Sequence, residues 1–227
     1  MLFIRCIIIW LATFFLASCS TQYSLLPKVI HELKSQAGVT GGDAHIPLKP
    51  DLAYRYLRVD VDGRKPALMV LAFEESDPFG SIEVWYSASG QVIKTQQGRI
   101  VATSGLQTNW NRVKYSGLEP EWLPKSGSAV QYQRVRDEMP GYKYGLTDSV
   151  KLQSLPEFPA IDLPKALTYE QASRFKWFRE TSSGGLPNAW YAQGLHRGLT
   201  TVVYSEQCLS VKFCLKLLRW PIQENPL

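Results

Sequence analysis

The chain has 227 residues, 45% of them hydrophobic, which excludes a disordered polar polymer and suffices for a sizeable core. Its formal charge of +5 is a mild excess, compatible with anionic glycans or lipid headgroups. The basic residues are scattered and no helix-turn-helix or zinc spacing appears, so nucleic acid is not an expected partner.

The first segment reads as an address. Arg5 gives a positive flank, Ile7 to Leu16 is an uncharged apolar run, and Ala17-Ser18 places small residues before Cys19. That order is the layout of a secretory signal peptide. The run is too short to cross a bilayer, which takes about 20 apolar residues. Leu16-Ala17-Ser18-Cys19 resembles the bacterial lipobox, in which the thiol takes a diacylglycerol and the new amino group is acylated. The alternatives are an ordinary signal peptide with a coincidental cysteine and an uncut anchor. The expected division is a signal peptide over 1–18, a lipidated Cys19 with its tether over 19–50, and a single β-rich domain over 51–227. Ser20 follows the cysteine, where aspartate marks inner-membrane retention in enterobacterial lipoproteins. That resemblance places the protein on the periplasmic side of the outer membrane, with the membrane itself as a partner through the lipid. No later stretch is apolar enough to span a bilayer.

Within the tether, Leu26, Val29, Ile30 and Leu33 recur at helical spacing and predict a short amphipathic helix over 25–36. Glycines and prolines then loosen the chain up to Pro50. From Arg55 the period changes to two. Leu57, Val59 and Val61 alternate with polar residues, Asp62-Gly63 signals a hairpin turn, and Pro66 to Phe73 is apolar on both faces. Strands are predicted at 82–87, 91–95 and 99–103, separated by Ser89-Gly90 and Gln97-Gly98. Residues 105–128 read as a looser segment. Strands resume at 130–135 and 142–152, a brief helical turn is expected at Thr168 to Gln171, and further strands follow at 175–180, 189–192, 200–204 and 209–218. Many short strands without long helices predict an all-β fold, an antiparallel meander closing into a barrel-like or sandwich domain.

Cys208 and Cys214 remain for pairing in an oxidising compartment. Six steps of extended strand would hold them about 20 Å apart. A bridge needs Cα atoms within about 7 Å, so pairing requires a turn between them. Leu209, Val211 and Phe213 alternate with polar residues as a continuous strand would, which leaves bridge and free thiols both open.

Four segments occur in order: Tyr56-Leu57-Arg58-Val59, Pro66 to Leu71, Glu83-Val84-Trp85-Tyr86-Ser87-Ala88-Ser89-Gly90, and Gly98 to Leu106. With the lipobox they resemble the YjbF family of lipoproteins, which includes GfcB of group 4 capsule gene clusters. The resemblance covers residues 50 to 120 well and the second half only by its β character. It implies an antiparallel barrel-like fold and an outer-membrane-linked accessory role in capsule or exopolysaccharide production, beside other export proteins or on the polysaccharide itself. It carries over no catalytic residues and no cofactor.

The residues agree in giving little catalytic signal. The only histidines are His31, His45 and His196, and no motif supplies His196 with serine and carboxylate partners. No zinc-ligand spacing repeats, so no metal site is expected. A glycan hydrolase needs two carboxyl groups about 5 to 9.5 Å apart. Glu119 with Glu121, and Asp137 with Glu138, are the available pairs, and spacing selects neither. The alternatives to an accessory factor are therefore a glycan-processing hydrolase and a structural envelope tether. Arg134 and Arg136 share a strand face with Tyr132, and that face reads as solvated. Trp110, flanked by Asn109, Asn111 and Arg112, and Trp122 fall in the irregular segment, where binding residues concentrate. They are the candidate glycan-binding residues, a flat ring covering a sugar face while amides and guanidinium bond its hydroxyls.

Overall fold

In a computed structural model, residues 51–118 and 121–222 are described. Cys19, its tether and the helix expected over 25–36 lie outside the described residues. The alternating patterns become twelve strands: β1 (Tyr56–Asp60), β2 (Ala67–Glu75), β3 (Ile82–Ser87), β4 (Val92–Gln96), β5 (Arg99–Ser104), β6 (Asn109–Ser116), β7 (Ala129–Met139), β8 (Lys143–Ser154), β9 (Lys176–Ser182), β10 (Ala189–His196), β11 (Leu199–Ser210) and β12 (Phe213–Trp220). The one helix among the described residues, α1 (Tyr169–Ser173), is a single turn. Thr168 caps it, and Gln171 returns the bond to complete a capping box.

All twelve strands form one antiparallel sheet in the order β5-β4-β3-β2-β1-β12-β11-β10-β9-β8-β7-β6. Each strand pairs with its sequence neighbours, except at two places. β1 pairs with β12, which joins the two ends of the chain. β5 and β6, consecutive in sequence, are the two edges of the sheet. The result is a nearly closed barrel, split along one seam.

Buried edge groups need partners, since an unpaired backbone N–H or C=O costs as much as a lost hydrogen bond. Side chains supply them here. Trp110 N–H donates to Thr103 Oγ1 at 3.0 Å, Ile100 N–H donates to Gln207 Oε1 at 2.9 Å, and Tyr115 Oη reaches the Ile100 carbonyl at 3.4 Å. The β4–β5 turn also lies directly against β11. A Cβ on Gly98, whose φ is +83°, would fall 2.5 Å from Val202 Cβ, so only glycine fits.

The interior is filled in two parts. Trp85, Ile93, Ile100, Trp110, Leu209 and Leu215 pack together on one side. Trp122, Tyr132, Leu152, Phe178 and Tyr191 pack on the other. On the opposite face of the sheet, the long β8–β9 connection lays Leu163, Leu167 and Phe158 over Trp177, Tyr204 and Leu218. Because neighbours are antiparallel, connections alternate between two ends. The chain arrives at residue 51 on one of them, here termed the proximal end. That end also holds the β2–β3, β6–β7 and β8–β9 connections and the β10–β11 hairpin.

Two segments differ from the sequence-based expectation. The segment over 105–128 contains a regular strand, β6, whose apolar residues Trp110 and Val113 are too far apart to show a period of two. A bulge between Trp110 and Arg112 shifts the register and explains the broken alternation. The run at 209–218 is not one strand. The chain turns at Val211-Lys212, and Val211 is exposed at the tip. Cys208 and Cys214 thereby become register partners with Cα atoms 3.8 Å apart, and their sulfurs are bonded. Closing so short a loop is worth about 2 kcal/mol in a chain-entropy account. Dithiothreitol is expected to lower the unfolding free energy by that amount, read as a fall in the urea midpoint. An unchanged midpoint, with both thiols titratable before reduction, would show the pair to be free.

Candidate binding cleft and the buried ion network

The interior of the second half is not purely apolar. Arg134 on β7 faces Asp148 on β8, its register partner, and reaches Glu180 on β9. Its Nε and Nη2 donate to Asp148 Oδ2 at 3.1 and 3.0 Å, and its Nη1 donates to Glu180 Oε1 at 2.7 Å. Arg136 donates to the same Asp148 oxygen. Tyr132 and Tyr191 donate to Glu180 Oε2 at 2.5 and 3.2 Å. The arginine face expected to be solvated is therefore buried. Charges are tolerated there because each is paired and hydrogen-bonded. Burial and the neighbouring Glu180 carboxylate both push the Tyr132 and Tyr191 hydroxyls upward, so both stay protonated donors. Burial works against the Arg134 charge most strongly, but Glu180, Asp148 and the surrounding groups together outweigh it and hold the guanidinium above its ordinary range. The glycine at 184 belongs to this network: a Cβ there would fall 1.8 Å from Asp148 Oδ1.

A second network closes the first half. Arg219 Nη1 and Nη2 donate to the two oxygens of Glu83 at 2.9 and 2.7 Å, Arg55 pairs with the same carboxylate, and Thr95 Oγ1 donates to it at 3.1 Å. His196 lies near these arginines. Burial first, then the charges of Arg219, Arg197 and Arg55, lower it to about 4, so its imidazole is neutral near pH 7. Asp137 accepts from Gly145 N–H and pairs with Arg112, while Glu138 pairs with Lys143. Glu121 stands exposed, and Glu119 lies outside the described residues.

The structure does not bring the expected glycan-binding residues together on one exposed surface. Trp110 is only 2% exposed. Its Nε1 donates to the Leu209 carbonyl at 3.0 Å, and the Arg134 and Arg136 guanidinium carbons lie 5.1 and 5.6 Å from its ring. No face is left for a sugar. Asn109 turns back to close the β5–β6 connection through both polar atoms on Leu106. Asn111 and Arg112 are exposed, and Arg112 pairs with Asp137 at 3.2 Å. Trp122 is 3% exposed, edge-on to Tyr191 with ring centroids 5.0 Å apart. Together with Tyr115 it brackets Arg99, whose guanidinium carbon is 4.3 and 4.2 Å from the two rings. Cation–π contact of this kind plugs the seam where β5 and β6 diverge.

A cleft of about 560 Å³ opens on the proximal side of that plug. Trp122, Phe178 and Val202 form its apolar lining, and Glu121, Lys125 and Lys176 stand on it as charged groups. Gln193, Thr200, Thr201 and Ser126 add amide and hydroxyl groups. Sequence reasoning reached Trp122 but did not join it with the lysines. Lys125 lies in the β6–β7 connection and Lys176 opens β9, about fifty residues further on, so no local pattern joins the two. A second hollow of about 720 Å³ crosses β6 to β9, lined by Gln131, Gln133, Ser149 and Lys151. No group of three or more metal-ligating side chains occurs among the described residues, and none of their helices is long and apolar enough to cross a membrane.

Comparison with known proteins adds the relationship. The solved structure of the hypothetical lipoprotein YmcC from Escherichia coli K12 is similar over 92% of this chain and 100% of that one. Its TM-score is 0.55 at 15% sequence identity, which is a likeness of fold. No curated protein matches the sequence. A family model described as group 4 capsule polysaccharide lipoprotein GfcB, YjbF matches residues 50–165. That match takes in just over half of the 227 residues. The chain belongs to the YjbF family, a family of capsule-associated lipoproteins of the cell envelope.

Proposed function

We propose that this protein is a non-enzymatic accessory factor in capsule or exopolysaccharide secretion. In this reading Cys19 carries the lipid, residues 1–18 are its signal peptide, and the barrel hangs on the periplasmic side of the outer membrane. Family membership is the observation that carries it. The chemistry of the barrel supports it. The carboxylates of the two interior networks are saturated by arginine, tyrosine and threonine donors, so they serve as ion-pair partners and not as a free acid and base. The partners are other export proteins or the polysaccharide.

Deletion of the gene, under conditions where the polysaccharide is made, is expected to remove it from the cell surface and leave it inside. Purified protein is expected not to shorten the polysaccharide. Chain shortening that disappears on replacing one carboxylate would establish the hydrolase reading instead. Envelope leakage with unchanged export would establish the structural tether.

A further inference from the structure

The proximal cleft combines two kinds of surface that a saccharide needs. Part of its lining is apolar: Leu123 and Pro156 line it together with Trp122, itself nearly buried. Its polar groups are unspent. Gln193, Thr200, Thr201 and Ser126 make no side-chain hydrogen bond within the described residues. Such a set of amides and hydroxyls around an apolar floor suits a pyranose ring, which is apolar on its face and polar at its edge.

Charge narrows the class. Lys94, Lys143 and Lys216 each sit on a carboxylate. Lys125 and Lys176, both exposed, have no carboxylate partner among the described residues, which is equally true of Lys114, Lys151, Lys165 and Lys212, but these two alone meet on the cleft. Lys125 rises from the β6–β7 connection and Lys176 from the start of β9 onto the same cleft. Glu121 is on it too, which leaves one net positive charge and an acceptor for a hydroxyl. A neutral sugar would leave both ammonium groups unused. An acyl chain would leave the amides and hydroxyls unpaired on its burial.

We infer that the cleft binds an anionic saccharide segment, whose carboxylates meet Lys125 and Lys176 while its ring lies against the apolar lining. The inference rests on the proposed role in polysaccharide secretion and gives that role a site and a charge class.

The full chain in detergent should be titrated calorimetrically with tetragalacturonate, and with maltotetraose as the neutral counterpart. Tetragalacturonate is expected to bind in the millimolar range, about tenfold more tightly than maltotetraose. Lys125→Ala and Lys176→Ala should each weaken it about 2- to 5-fold, the range for exposed ion pairs. Raising the salt should do the same. Lys151→Ala, in the other hollow, should change nothing. No heat up to about 10 mM ligand, equal affinity for the neutral sugar, or indifference to the double lysine variant would overturn the inference. Complementation separates this from the function itself. If deletion abolishes export and the double lysine variant restores it fully, the cleft assignment falls and the accessory role stands. If deletion leaves export intact, the accessory role falls while the titration still decides the cleft.

Discussion

Replacing Glu180 by leucine is expected to destabilise the protein by about 3–5 kcal/mol, the cost of removing one partner from a buried charge network. Arg134 Nη1 and the Tyr132 hydroxyl lose their acceptor at once, and the Tyr191 hydroxyl is left with Gln207 Oε1 alone, at 3.3 Å. None can turn to water, because Glu180 and Arg134 are 2% and 4% exposed and both tyrosines are buried. Asp148 still balances Arg134, and Arg136 crowds that same oxygen, so the network cannot simply re-pair. The measurement is urea unfolding followed by tryptophan fluorescence. The double variant Arg134→Met with Glu180→Leu should lose less than the sum of the single losses, since it removes both unmatched charges together. Strict additivity, or a loss under 1 kcal/mol for the single variant, would mean that the interior admits water and that the pairing contributes little.

The barrel was legible in the sequence because its strands carry their own signals. Asp62-Gly63, Ser89-Gly90 and Gln97-Gly98 mark turns, and period-two alternation marks Arg58 to Asp60 and Ile82 to Ser87 as strands. Thr168 with Gln171 is a local capping pattern, and the helix begins where it predicts. Three things were hidden because they depend on contacts distant in sequence. The seam is one: β5 and β6 are neighbours in the chain, yet they form the two edges, and Gln207 on β11 satisfies β5 from across the barrel. The hairpin at Val211-Lys212 is another. It has no glycine or proline to announce it, and its alternation imitates an unbroken strand.

The arginines are the third and bear most on function. In sequence, Arg134 and Arg136 beside Tyr132 look like a basic face open to solvent. Only the register that sets Asp148 and Glu180 against them shows a neutralised interior. The candidate glycan-binding residues are dispersed for a related reason. An irregular-looking segment with tryptophan and asparagine resembles a binding loop, but Trp110 faces inward from a strand and Asn109 spends its amide on a turn. The cleft lysines, Lys125 and Lys176, are far apart in sequence, and only the fold brings them to one site.

Attachment is the physical condition that makes an accessory role at the envelope feasible. One acyl chain gives marginal binding, and a multiply acylated terminus holds a protein at a surface. Cells lacking the gene should be supplied with either the natural chain or Cys19→Ser, and grown with a labelled fatty acid. The natural chain is expected to take up label, to fractionate with the outer membrane and to restore surface polysaccharide. The serine variant should do none of these, although its barrel folds unchanged. A serine variant that is still labelled, still membrane-bound and still active in export would contradict the account.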